Sequence, residues 1–151
     1  LRNADFIFGR ETDVLRLSAV AQGSVVNFQR CSPIGRRFHD RTCALLMGDA
    51  PAAVERELAL QPKRCEVLKL GHHGSVTSSD PRFLDAFTPE IAIASAGRRP
   101  RSPLPNSRVR ERLAARSISL WKTRSDGAIS VRLGRPGPQV DPFLTRPFRE
   151  D

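Results

Sequence analysis

Val67-Leu68-Lys69-Leu70-Gly71-His72-His73-Gly74-Ser75 is the stretch that decides the fold, and Ala44-Leu45-Leu46-Met47-Gly48-Asp49-Ala50 is its upstream counterpart. Each is an apolar run that ends in glycine and then in a side chain able to bind metal. An apolar run of this length reads as a buried strand, and glycine at its end lets the backbone turn sharply. The next side chain is then carried on a rigid edge, where ligands are held best. Carboxylate plus imidazole is a donor set of zinc and manganese hydrolases. Asp49 and His72/His73 converge if their two strands are neighbours.

Strands and helices alternate outward from these motifs. Pro51 opens a helix to about Gln61, with Val54, Leu58 and Leu60 as apolar positions and Glu55 and Glu57 as its acids. Ser79 or Asp80 caps a second helix, with Pro81 just inside it and Phe83, Leu84 and Phe87 buried. Ile91 to Ala96 is a further buried strand. Asn106 or Ser107 caps a helix to about Arg116, with Val109 and Leu113 inward. Ile118 to Trp121 is a strand, Ser125-Asp126-Gly127 a turn, and Ala128 to Leu133 the last strand. Such alternation predicts an α/β layered fold. Upstream, Val14-Leu15-Arg16-Leu17 and Val25 to Phe28 are candidate strands, and residues 32–42 read as a hairpin connection. Residues 1–23 are otherwise poorly defined. The Pro-rich tail over 134–151 is expected to be irregular and disordered.

The chain has 151 residues, enough for one core, and only 6% aromatics, so that core is aliphatic. No run approaches the roughly 20 apolar residues of a membrane span. Position 1 is Leu and the one methionine is Met47, so the chain is expected to be a piece of a longer protein. The three cysteines, Cys31, Cys43 and Cys65, lack C-x-x-C spacing. That argues against a disulfide framework; Cys43 and Cys65, beside apolar runs, read as small buried residues, and a reduced compartment is implied.

A net charge of +9 favours partners that carry phosphate. Arg98, Arg99, Arg101, Arg108, Arg110, Arg112 and Arg116 follow a strand end beside the motifs, where they can guide phosphate or form a solvated helix face. No aromatic interleaving supports base stacking there. Ser75, Thr77, Ser78 and Ser79 offer donors to an anion. His39, among arginines, reads as a solvated loop residue.

Leu45 to Ala50, followed by Val67 to Ser79, resembles the metallo-β-lactamase fold, and more narrowly the C-terminal domain of ComEC-type DNA-internalisation proteins of bacterial competence. The resemblance covers about residues 24–133. It implies half of an αββα sandwich, a mixed sheet with helices packed on one side, and a hydrolase that uses two divalent metal ions, zinc or manganese. By position Asp49 matches the metal-bridging aspartate and His73 the late metal-ligand histidine. His72 lies beside it, suited to substrate phosphate. Asp49, His72 and His73 are thus the catalytic set, with Ser75, Thr77, Arg98 and Arg99 toward phosphate. The family's His-x-His-x-Asp-His signature is absent, and Pro105-Asn106 stands where a further histidine is common. The chain therefore reads as the C-terminal half of such a domain, weak or empty in metal and inactive alone.

The implied function is a metal-dependent DNA phosphodiesterase acting in DNA uptake. Its implied partners are single-stranded DNA and the rest of a membrane channel protein upstream. The implied location is a soluble domain of a bacterial inner-membrane protein. The alternatives are a catalytically inactive basic module that holds nucleic acid or a partner, and a stand-alone hydrolase of another phosphate ester.

Overall fold

A computed structural model describes residues 43–97, 104–134 and 136–143, and the backbone of residues 14–17. The expected strand over 25–28, the connection over 32–42, Cys31, His39, Arg98, Arg99 and Arg101 lie outside the described residues.

Four short strands, β2 (Ala44–Leu46), β3 (Val67–Lys69), β4 (Ile91–Ala94) and β5 (Ser119–Lys122), form a parallel sheet in the order β2-β3-β4-β5. Its register aligns Ala44 with Val67, Val67 with Ile91 and Ile91 with Ser119. Parallel strands need crossovers, and helices supply them: α1 (Ala52–Leu58), α2 (Pro81–Phe87) and α3 (Ser107–Ala114). The side chains of Asp80 and Asn106 cap α2 and α3 by accepting from the backbone N–H of Arg82 and Arg108, both at 3.0 Å.

Strand alternation sorts the core into two faces. On one face Leu68, Ala92 and Ala94 pack with Phe83, Leu84 and Phe87 of α2 and Val109 and Leu113 of α3, with Val54 and Leu58 of α1 at the margin. On the other face Ala44, Leu46, Val67, Ile91 and Ile93 meet Ile129, Val131 and Leu133. That second partner is an antiparallel sheet of β1 (Val14–Leu17), β6 (Ile129–Arg132) and β7 (Gln139–Pro142), in the order β1-β6-β7. Each fully buried Leu, Ile or Phe contributes about 1.5–3 kcal/mol, which makes this aliphatic core the main cohesive force. The layers run helices, parallel sheet, antiparallel sheet, consistent with half of an αββα sandwich with helices on one side.

Three sequence readings need correction. The Pro-rich tail is not irregular throughout, because residues 139–142 form β7 against β6, with Val140 opposite Val131. Proline is tolerated there because the strand lies at a sheet edge. Residues 123–126 form a one-turn helix, α4, that ends at Gly127, in place of a simple turn. Cys43 and Cys65 are joined in a disulfide, where free thiols were expected. Each precedes one of two neighbouring parallel strands, which brings their Cα atoms to 4.5 Å although 22 residues separate them in sequence. Spacing rules miss a bridge set by strand pairing.

Candidate functional site

The two motifs emerge side by side at the C-terminal ends of β2 and β3. In open α/β sheets this is the edge where ligands bind. After β2 the chain turns through Met47–Ala50, closed by the Ala50 N–H donating to the Met47 carbonyl at 3.0 Å. Gly48 takes φ +53°, a conformation that glycine adopts without penalty, and Asp49 stands exposed on the turn. After β3, Gly71–Gly74 form a kinked double turn, broken at His72 and His73, which adopt left-handed, non-helical backbone with φ 45° and 58°. The His72 N–H donates to the Gly48 carbonyl at 2.9 Å, which binds the histidine turn directly to the aspartate turn.

The loop continues through Ser75 and Thr77. Their hydroxyl oxygens lie 3.1 Å apart, and Thr77 Oγ1 lies 3.4 Å from His72 Nδ1. The structure therefore places Asp49, His72, His73, Ser75 and Thr77 on one connected surface. Of the arginines, Arg108 and Arg110 are exposed on α3. Arg112 and Arg116 are engaged within the chain, Arg116 at the surface. Arg112 donates to the Ser78 and Ser79 carbonyls at 3.0 and 3.2 Å, and Arg116 pairs with Asp85 at 2.7 Å.

Two charged residues that the sequence reading did not single out belong to this region. Lys69 ends β3 on the face between the sheets, 8% exposed, and its ammonium donates to the Leu70 carbonyl at 2.9 Å. Burial pushes its pKa down to about 8, while the Asp49 charge acts to raise it. Glu55, expected on the polar side of α1, is 1% exposed. Its carboxylate accepts from the Ser79 and Asp80 N–H groups at 2.9 and 2.7 Å. Burial raises its pKa, against those two hydrogen bonds; the Asp80 charge raises it further and Arg112 lowers it. A lysine closing an otherwise apolar strand was the available signal for the first. For Glu55 no signal separates it from Glu57.

His73 lies half-buried beside Lys69 and Asp49. Burial holds it below the ordinary histidine range and the Lys69 charge adds to this; a backbone hydrogen bond at Ser95 and the Asp49 charge act the other way, and His72 lowers it again. Its Nδ1 is buried with no hydrogen-bond partner. An uncharged imidazole has one lone pair to give to a cation or a proton. Among the described residues, however, no group of three or more His, Cys, Asp or Glu side chains is arranged to hold a metal ion. Asp49 and His73 are at most part of such a site.

Comparison with known proteins adds a context for this geometry. The chain is 46% identical over 72 residues to "Competence protein ComA" of Neisseria gonorrhoeae, covering 48% of this chain and 10% of that protein. It is 35% identical over 106 residues to "Recombination protein 2" of Haemophilus influenzae, 70% of this chain and 14% of that protein. It is 34% identical over 90 residues to "ComE operon protein 3" of Bacillus subtilis, 58% of this chain and 12% of that protein. The chain is similar to a segment of each of these three bacterial proteins. It spans no more than 14% of the length of these curated relatives. No protein-family model matches the chain. Among the described residues no helix is long and apolar enough to cross a membrane.

Proposed function

We propose that this chain is the C-terminal half of a metallo-β-lactamase-type domain that hydrolyses DNA phosphodiesters during DNA uptake. One observation carries the reading: the Asp49 turn and the His72/His73 turn are hydrogen-bonded neighbours on the ligand-binding edge of a parallel sheet. The similarity to competence proteins supplies the DNA context. Asp49 and His73 are this half's donors to a site for two divalent ions, zinc or manganese. The described residues do not complete that site, so the remaining donors come from residues outside them. Bound metal would supply an activated water and charge neutralisation.

The residues of this chain have their own work. Ser75, Thr77 and His72 offer polar atoms to a phosphate oxygen, and Lys69 keeps positive charge near Asp49. Arg98 and Arg99 are proposed to meet the DNA backbone. Single-stranded DNA is the substrate, and a bacterial membrane channel protein the parent. The test is cleavage of single-stranded DNA by the intact protein with added manganese or zinc. Asp49→Ala should lower the rate by about a hundredfold or more, the scale of losing a group that stabilises transition-state charge. No cleavage, or cleavage indifferent to Asp49→Ala, overturns the proposal.

A second reading, a non-catalytic basic module, is favoured by the incomplete donor set and by exposed Arg108 and Arg110. It predicts intact protein free of stoichiometric metal whose DNA affinity falls steeply with salt.

A further inference from the structure

We propose that Glu55 and Arg112 are positioning residues that set the histidine loop against the Asp49 turn. The inference rests on the site reading above and adds to it two residues that lie outside both motifs.

The loop from Gly71 to Asp80 is held in an unusual shape. His72, His73 and Ser79 all have left-handed backbone, with φ 45°, 58° and 60°. Each such residue costs on the order of 1 kcal/mol or more unless its surroundings impose the conformation. At its start the loop is tied by the His72 N–H to Gly48 and by the Asn106 N–H to the Gly74 carbonyl, both at 2.9 Å. At its far end Glu55 takes the N–H groups of Ser79 and Asp80, while Arg112 takes the carbonyls of Ser78 and Ser79. A buried anion and a cation thus grip consecutive peptide groups, from helices α1 and α3.

Glu55 is not a helix cap. Asp80 itself is the cap residue of α2 and receives the Arg82 N–H, while Glu55 takes the cap residue's own N–H and that of Ser79 before it. The carboxylate instead occupies the neck of the loop. A Cβ placed on Gly71 would fall 3.4 Å from Glu55 Oε1, 3.3 Å from Ser78 Cβ and 3.0 Å from the Ala50 carbonyl oxygen. The Ser78 hydroxyl lies 2.7 Å from the Gly71 carbonyl oxygen, to which it donates, drawing the two ends of the loop together. The Ala52 N–H, first in α1, donates to the Thr77 carbonyl at 2.9 Å. The helix that begins just after Asp49 is therefore joined at three loop positions, Thr77, Ser79 and Asp80. A buried carboxylate is an expensive way to hold a loop, and its position between the two motif elements gives it a reason to be there.

The experiment uses the 151-residue chain, whose three histidines are His39, His72 and His73. With ¹⁵N-histidine labelling, Glu55→Gln and Arg112→Met should displace the ring cross-peaks of His72 and His73. Arg112→Lys, which keeps the charge, should displace them less. Urea unfolding of the same samples confirms a cooperative fold. Unmoved His72 and His73 cross-peaks in either folded variant overturn the proposal, as does collapse of all three in both variants. If Glu55→Gln does not fold, Arg112→Met decides. In the intact protein, Glu55→Gln should lower kcat for single-stranded DNA by about tenfold or more with KM nearly unchanged, as expected for misplaced groups. Absence of hydrolysis in the parent sinks the hydrolase reading and leaves the cross-peaks as the test of positioning.

Discussion

The two ends of the parallel sheet are built on opposite plans. At the N-terminal edge Cys43 and Cys65 bridge β2 to β3. Beside them the buried Glu66 accepts the Cys43 N–H at 2.7 Å and pairs with Arg64, which also reaches Glu90 at 2.6 Å. Charge there is paired, and the left-handed residues on that side, Thr88 and Ser117, sit where α2 and α3 end. At the C-terminal edge Asp49 is exposed, His73 Nδ1 has no partner, Lys69 is buried and donates to the Leu70 carbonyl, and two adjacent histidines are left-handed. One edge anchors the strands; the other spends the resulting rigidity on displaying polar groups. The bridge ties β2 to β3 at the edge opposite the displayed one, and burial of both sheet faces sets the register between them.

The contrast breaks most visibly if the displayed edge tolerates added bulk. Gly74 has φ +88°, and a Cβ there would lie 2.5 Å from Pro105 Cβ. Gly74→Ala combines left-handed strain with overpacking and should cost about 4 kcal/mol in urea unfolding. A loss below about 1 kcal/mol would mean that this loop yields and is not held in a set shape.

The anchored edge is tested next. Replacing Cys43 and Cys65 together by alanine should lower stability by about 3 kcal/mol, the scale for closing a loop of this length. The same loss should follow addition of reductant to the parent chain, and reductant should leave the double variant unchanged. Equal urea midpoints for parent and variant would remove the anchor from the comparison.

The regular part of this architecture is legible in the sequence for a physical reason. Strands that end in Gly-Asp or Gly-His, helices opened by Pro81 or Asn106, and apolar spacing are local signals, and they place β2 to β6 and α1 to α3. What local signals cannot carry is pairing in space. The Cys43–Cys65 bridge depends on β2 lying beside β3, and β7 depends on an edge of β6 being free. Glu55 reads as a surface acid because its partners, the Ser79 and Asp80 N–H groups, are 24 and 25 residues away. The motif residues Asp49, His72, His73, Ser75 and Thr77 were visible as chemistry. Their charge setting was not, because Lys69 hides inside a run that reads as an ordinary strand.

Lys69 gives the smallest and most specific test of the displayed edge. Its pKa of about 8 in the folded chain lies below its ordinary value of 10.5. Between those values the unfolded chain binds the extra proton, so this residue makes folding stability rise with pH across that window. Below pH 8 both states are charged, and the folded state bears the full cost of the buried ammonium, about 3 kcal/mol at 1.36 kcal/mol per pH unit. Lys69→Met removes that cost and leaves the Leu70 carbonyl without this donor, an offset of about 1 kcal/mol. The variant should therefore be about 2 kcal/mol more stable than the parent at pH 7, and the advantage should vanish as pH approaches 10.5. Urea unfolding at intervals from pH 7 to 10 measures the gap directly. Parallel curves would show that the ammonium is solvated. The displayed edge would then be an ordinary surface, and the contrast with the anchored edge would reduce to the disulfide alone.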